Sequence, residues 1–121
     1  MRRGRKILVG DDNKDLAASL ELMFTGRGHT VRVEHDGQDA CHAAMEFRPH
    51  AAVLDIGMPR MAGHEVAREI RRQPWGHDVL LLALSGWGGR NDKARALEAG
   101  FNHHFTKPGD PGEIVRLIEG S

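Results

Sequence analysis

Five residues of this chain have side chains and positions that could do chemistry together. Asp11 and Asp12 are adjacent carboxylates after a short apolar run, and Asp55 closes a second such run. Ser85 follows a third, and Lys107 precedes Pro108 near the end. Any one alone is ordinary, and an isolated Asp11-Asp12 pair reads as a helix cap. Together they carry a tension. Carboxylates within a few ångströms repel by on the order of a few kcal/mol at an effective dielectric of about 20, so a fold that keeps three of them keeps a cation too. Hard oxygen ligands select Mg²⁺ or Mn²⁺, and Mg²⁺ commonly shares its shell with waters and phosphate oxygens. A lysine beside such a cluster adds positive charge that metal binding does not require but phosphoryl oxygens do. The chain has no Walker loop and no kinase motif set. Gly86-Trp87-Gly88 lacks the rest of a dinucleotide fingerprint and reads as a turn. The carboxylate of Asp55 is then the remaining nucleophile, and aspartyl phosphates are established covalent chemistry.

The elements that must hold these groups alternate regularly. Ile7-Leu8-Val9 is a β-rich run ended by Gly10-Asp11-Asp12-Asn13. Leu16, Leu20, Met23 and Phe24 then recur at helical spacing, capped by Asp12 or Asn13 and ended by Gly26 and Gly28. Val31 and Val33 alternate as on a strand, and Ala40, Ala43, Ala44 and Phe47 stripe a second helix stopped by Pro49. Ala51-Ala52-Val53-Leu54 lacks alternation and suits a strand covered on both faces. Val66, Ala67 and Ile70 mark a third helix, Val79 to Leu84 a central strand, and Ala94, Leu97 and Ala96 a fourth helix ending at Gly100. Phe101 to Thr106 reads as a fifth strand, and Ile114, Leu117 and Ile118 as a last helix. Parallel strands need right-handed crossovers, which place helices on both faces. The expected fold is therefore α/β, a doubly wound five-stranded parallel sheet. In such sheets sites form beyond the carboxyl ends of strands, which is where all five residues fall.

Composition narrows the function classes. The chain has 121 residues, with 40% hydrophobic and 28% charged, the balance of a globular domain able to bury one core. Seventeen basic residues match seventeen acidic ones, so no general field favours nucleic acid or anionic lipid. Arg2, Arg3, Arg5 and Lys6 read as a frayed terminus. The single Cys41 excludes an internal disulfide and a cysteine zinc cage. No apolar run reaches the ~18 residues of a membrane span. The expectation is one cytoplasmic domain over residues 1–121, its core about 5–119, with no direct contact to nucleic acid or membrane.

The motifs resemble the receiver domain of two-component response regulators. They are Asp11-Asp12 after Ile7-Leu8-Val9, Val53-Leu54-Asp55-Ile56-Gly57-Met58-Pro59 followed by Gly63, Ser85-Gly86, and Lys107-Pro108. The successive intervals, 43 residues from Asp12 to Asp55, 30 from Asp55 to Ser85 and 22 from Ser85 to Lys107, also match. The resemblance implies a flavodoxin-like sheet of order 2-1-3-4-5. It implies Asp55 as phosphoacceptor from a partner phosphohistidine, on a sensor histidine kinase or a histidine phosphotransfer protein. It implies Mg²⁺ (or Mn²⁺) held by Asp12, Asp55 and the backbone carbonyl of Gly57, with Asp11 acting through a water. Lys107 would pair with a phosphoryl oxygen and the Ser85 hydroxyl would swing in to another. No catalysis beyond self-directed phosphoryl transfer and hydrolysis is implied. The fourth helix, fifth strand and fifth helix would form the switching surface, where a partner or a second copy docks. The segment Ala99 to Pro108 is similar to receivers of hybrid sensor kinases and stand-alone regulators.

Departures from the family pattern carry their own expectations. His104 stands three residues before Lys107, where many receivers place Tyr or Phe. It is expected either to fill the same space or to make switching pH-sensitive. Gly10 stands where a bulky apolar residue is common, which predicts an early end to the first strand and a looser acidic pair. Trp87 is expected to shield the phosphoryl group and slow its hydrolysis. His103-His104 lacks a third soft ligand, and adjacent strand residues point to opposite faces. The scattered histidines, His64 among them, read as surface or satisfied positions, and Arg71-Arg72 as a solvated face. Two other functions compete. A small Mg²⁺-dependent phosphatase or phosphotransferase using Asp55 would want a second acid or base where Gly57 stands. A flavin-binding protein would want Ser, Thr and Gly, not Asp11-Asp12, after the first strand.

Overall fold

In a computed structural model of the chain, residues 4–86 and 90–120 are described, residue 90 by its backbone alone. Strands β1 (Lys6–Gly10), β2 (Thr30–Glu34), β3 (Ala51–Asp55), β4 (Leu80–Ser85) and β5 (His103–Thr106) alternate with helices. These are α1 (Lys14–Gly26), α2 (Gly37–Phe47), α3 (Gly63–Arg72), α4 (Arg90–Ala99) and α5 (Pro111–Gly120), with a single 3₁₀ turn at Gly76–Asp78. All strand pairs are parallel, in the order β2-β1-β3-β4-β5. The chain leaves β1 toward one edge and returns to β3 on its other side. The loops after β1 and β3 therefore diverge, opening the crevice in which such sheets bind ligands.

Two apolar layers sandwich the sheet. Leu8, Ala52, Leu54, Leu81 and Ala83 face α2, α3 and α4, while Ile7, Val9, Val53, Leu82 and Leu84 face α1 and α5. Every residue of β3 is buried, as its unbroken apolar run predicts. Each fully buried Leu, Ile or Val contributes about 1.5–3 kcal/mol, so the centre of the sheet is a stiff platform for Asp55 at its end. Helix starts are fixed locally. Asn13, not Asp12, caps α1 by accepting from the Leu16 amide, and Asp36 caps α2 by accepting from Asp39.

Several expectations are corrected by packing. β1 runs through Gly10, which pairs with both Glu34 and Leu54. A Cβ there would lie 3.0 Å from Leu54 Cδ2 and 3.3 Å from Met58 Cε, so neighbouring side chains supply the missing bulk and the strand does not end early. Helix α4 buries Ala96 and Ala99, whereas Leu97 is 48% exposed and Ala94 faces solvent. The described part of the basic start is tied down: Arg5 N–H donates to His29 Nδ1, and Lys6 Nζ donates to the Phe47 carbonyl. Arg71 is no solvated residue. Its guanidinium donates to the carbonyls of Gly100, Gly76 and Val79 and to Asn102 Oδ1. Among the described residues, no helix is long and apolar enough to cross a membrane.

Candidate functional site

β1 delivers Asp11 directly into the crevice, where its amide donates to the Glu34 carbonyl and its side chain is fully buried. Asp11 Oδ1 accepts from the Asn13 amide at 2.9 Å and from Lys107 Nζ at 3.1 Å. Its other oxygen, Oδ2, is buried without a hydrogen-bond partner among the described residues. Asp12, one residue on, is exposed. Asp55 is the last residue of β3 and 5% exposed. The Gly57 amide donates to its Oδ1 at 2.9 Å, and Lys107 Nζ lies 3.1 Å from its Oδ2. One oxygen from each of Asp11, Asp12 and Asp55 lies within 4.8 Å of the others.

Close backbone approaches fix Asp55. A Cβ on Gly63 would sit 2.6 Å from the Asp55 carbonyl oxygen, so the start of α3 closes directly on the end of β3. A Cβ on Gly37 would meet the Met61 carbonyl at 1.6 Å, which binds the β3–α3 loop to α2. Arg60 clasps the same loop to Asp36 and Gln38. Lys107 is held from behind, its amide donating to the Ser85 carbonyl at 2.7 Å.

Charge is only partly balanced here. Burial pushes the Asp11 carboxyl up, and the Asp55 charge adds to this, against the Asn13 amide and Lys107, which pull it down. Desolvation alone would lower Lys107, but its bonds to Asp11 and Asp55 outweigh that and hold the ammonium above its usual value. One lysine thus meets two of the three clustered carboxylates. The unpartnered Asp11 Oδ2 and an all-oxygen donor set fit a hard divalent cation, and Mg²⁺ suits these residues. His103 and His104 form no comparable cluster: among the described residues the three aspartates are the one group of this kind.

Ser85 ends β4, 2% exposed, and its Oγ lies 2.8 Å from His104 Nε2. His103 faces solvent, so the two histidines do point to opposite faces. Trp87 lies outside the described residues. Of the scattered histidines, His35 is exposed and satisfied as expected, and His64 is not. His35, on the loop after β2, places Nδ1 3.0 Å from the Asp11 carbonyl. His64, expected at a surface or satisfied position, is buried with Nε2 unpartnered among the described residues. No motif marks either one, because both placements depend on how loops and helices dock.

The comparisons agree with this arrangement. The chain is 34% identical over 113 residues, 93% of its length, to an uncharacterized 14.6 kDa protein in the sodA1 3' region of Leptolyngbya boryana, covering 86% of that protein. It is 36% identical over 103 residues to the response regulator MprA of Mycobacterium ulcerans, 85% of this chain but 44% of that regulator's length. Among solved structures it resembles the receiver domain of sensor histidine kinase PA1611 from Pseudomonas aeruginosa PAO1, which holds a magnesium ion in its active site cleft. The TM-score is 0.86 at 31% identity, over 98% of this chain and 99% of that one. The response regulator receiver domain family matches residues 7–119, a span that takes in every site residue above, and the chain belongs to that family, whose members serve phosphorelay two-component signalling.

Proposed function

We propose that Asp55 is the phosphoacceptor of this receiver domain, taking a phosphoryl group from a phosphohistidine on a sensor histidine kinase or a histidine phosphotransfer protein. A carboxylate oxygen of Asp55 forms the new O–P bond as the donor's N–P bond breaks, and the released imidazole takes up a proton. The observation that carries this reading is Lys107 Nζ, 3.1 Å from both Asp11 Oδ1 and Asp55 Oδ2. An ammonium bridging two carboxylates is within reach of an oxygen on a group attached to either. Transfer of this kind depends on position and charge neutralisation more than on covalent help.

Asp12 and Asp55 side chains and the Gly57 carbonyl would hold Mg²⁺, with Asp11 acting through a water. When bound, the ion supplies the positive charge that lets a phosphoryl dianion enter an acidic crevice. The Gly57 amide orients Asp55 from the opposite side to Lys107. The new group adds about −1.5 to −2 charges, as on other phosphorylated side chains. The Ser85 hydroxyl then turns to donate to a phosphoryl oxygen, and the change is read on α4, β5 and α5 by a partner or a second copy. His104 is the switch residue coupled to Ser85. No activity beyond self-directed transfer and hydrolysis is assigned.

Label transfer tests the reading. A ³²P-labelled histidine phosphotransfer protein mixed with this chain and Mg²⁺ is expected to lose label to it, in an alkali-labile form. The Asp55→Asn variant accepting as much label would overturn the assignment.

A further inference from the structure

Two buried side-chain polar atoms lack a hydrogen-bond partner among the described residues, Asp11 Oδ2 and His64 Nε2. The first faces the acidic crevice, where a metal-bound water would meet it. The second lies outside the acidic crevice, and an unmade buried hydrogen bond needs its own reason. His64 is the second residue of α3, 8% exposed, its ring edge-on to Phe101 with centroids 6.4 Å apart. Burial, then the charges of Arg95 and Arg68, push its pKa down, with Asp92 opposing and His104 adding to the fall. Both effects favour the neutral ring, in which one nitrogen accepts.

His104 belongs to the same layer. It pairs in register with Ala83 of β4, and Ala83 lies in the layer beneath α3 and α4 together with Leu81 and Phe101. Ser85, two residues beyond Ala83, points to that face as well. Ser85 and His104, in contact at 2.8 Å, and His64, which meets Phe101 from α3, thus share one face of the sheet in a largely apolar layer. A Phe or Tyr ring at position 104 could move there without leaving a ring nitrogen unpaired; an imidazole could not.

We infer that His64 is a positioning residue for the switch, its Nε2 being the acceptor that the His104 ring takes up when Ser85 turns toward the phosphoryl group. This rests on Asp55 being the phosphoacceptor. With the His104 proton on Nε2 and the His64 proton on Nδ1, the same N–H serves Ser85 Oγ in one state and His64 Nε2 in the other. No proton is transferred, and the Ser85 hydroxyl keeps its hydrogen for a phosphoryl oxygen.

Side-chain ¹⁵N spectra of the whole chain, with and without beryllofluoride and Mg²⁺, test this, while ¹⁹F spectra report whether beryllofluoride binds. Binding is expected to shift His64 Nε2 to a hydrogen-bonded position and to bring up an N–N coupling with His104. His64→Gln, which retains an acceptor, should saturate like the native chain. His64→Leu should need about fivefold to tenfold more beryllofluoride, the worth of one neutral hydrogen bond. Bound beryllofluoride with unchanged His64 resonances would overturn the inference alone, as would a His64→Leu variant that saturates with the native chain. No bound ¹⁹F signal in the native chain would overturn the Asp55 reading and this one with it.

Discussion

Asp11 is buried beside another carboxylate with one oxygen unpartnered among the described residues, and its carboxyl is pushed above the ordinary carboxylate value. A group shifted this way binds protons more readily folded than unfolded. It therefore costs stability above the raised value, and the cost fades as pH falls through it. Asp11→Asn removes that cost while keeping the shape. Without Mg²⁺ it should melt about 4 °C higher, near 1 kcal/mol, yet gain less in Tm from added Mg²⁺ than the native chain is expected to. A lower melting point would mean that the Lys107 contact outweighs burial. Asp11, Asp12, Asp55 and Ser85 were legible in the sequence because each follows an apolar run, and Lys107 because it closes the last strand before Pro108; parallel topology gathers such ends on one rim. The burial of His64 was not, since nothing in its neighbours in sequence says which elements it will meet.

Arg71 shows how an element is held in place. It closes the end of α3 onto the start of β4 and the α4–β5 connection through neutral carbonyl oxygens, and burial pushes its guanidinium down. A lysine ammonium lacks the planar fork that spans these acceptors. Arg71→Lys should cost about 2 kcal/mol, read as a lower urea midpoint at unchanged slope; an unchanged midpoint would make these bonds incidental. Its residue type and the neighbouring Arg72 gave no sign of this, because a charged pair on a helix end reads as solvated until the chain folds back over it. Helix α4 was misread for a related reason. Ala94 and Leu97 fit helical spacing as well as Ala96 and Ala99 do, and close packing on α3 and β5 selects the smaller pair. Gly63 is the element-scale constraint nearest the chemistry. Gly63→Ala would press a methyl group on the Asp55 carbonyl, and calorimetry should show Mg²⁺ affinity falling at least threefold, where equal affinity would mean that α3 yields freely.

For the molecule as a whole, a clasp at the far end of the sheet joins its last helix to its first strand. Arg27 donates two bonds of 2.7 Å to Glu119, His29 Nε2 lies 2.9 Å from the same carboxylate, and His29 Nδ1 accepts from the Arg5 amide. The Arg27 bonds above all, then His29, lower Glu119 from its ordinary 4.5 to about 2. The stabilisation is therefore complete above 4.5 and lost as pH falls toward 2. Acid unfolding of Glu119→Gln should start from lower stability at neutral pH and converge with the native curve below that range; parallel curves would deny the clasp a role. The alternation of apolar runs was enough to read the α/β class and the crossovers. The strand order came with the family resemblance, since every order of five parallel strands shows the same alternation.

The claim under all of this is that one carboxylate becomes an acyl phosphate. Acetyl phosphate and Mg²⁺ followed by borohydride reduction convert an aspartyl phosphate to homoserine, which peptide mass spectrometry locates. Homoserine is expected at position 55, dependent on Mg²⁺ and absent at 11 and 12. Homoserine at another aspartate, or none at 55 while the protein gains phosphate, would contradict it.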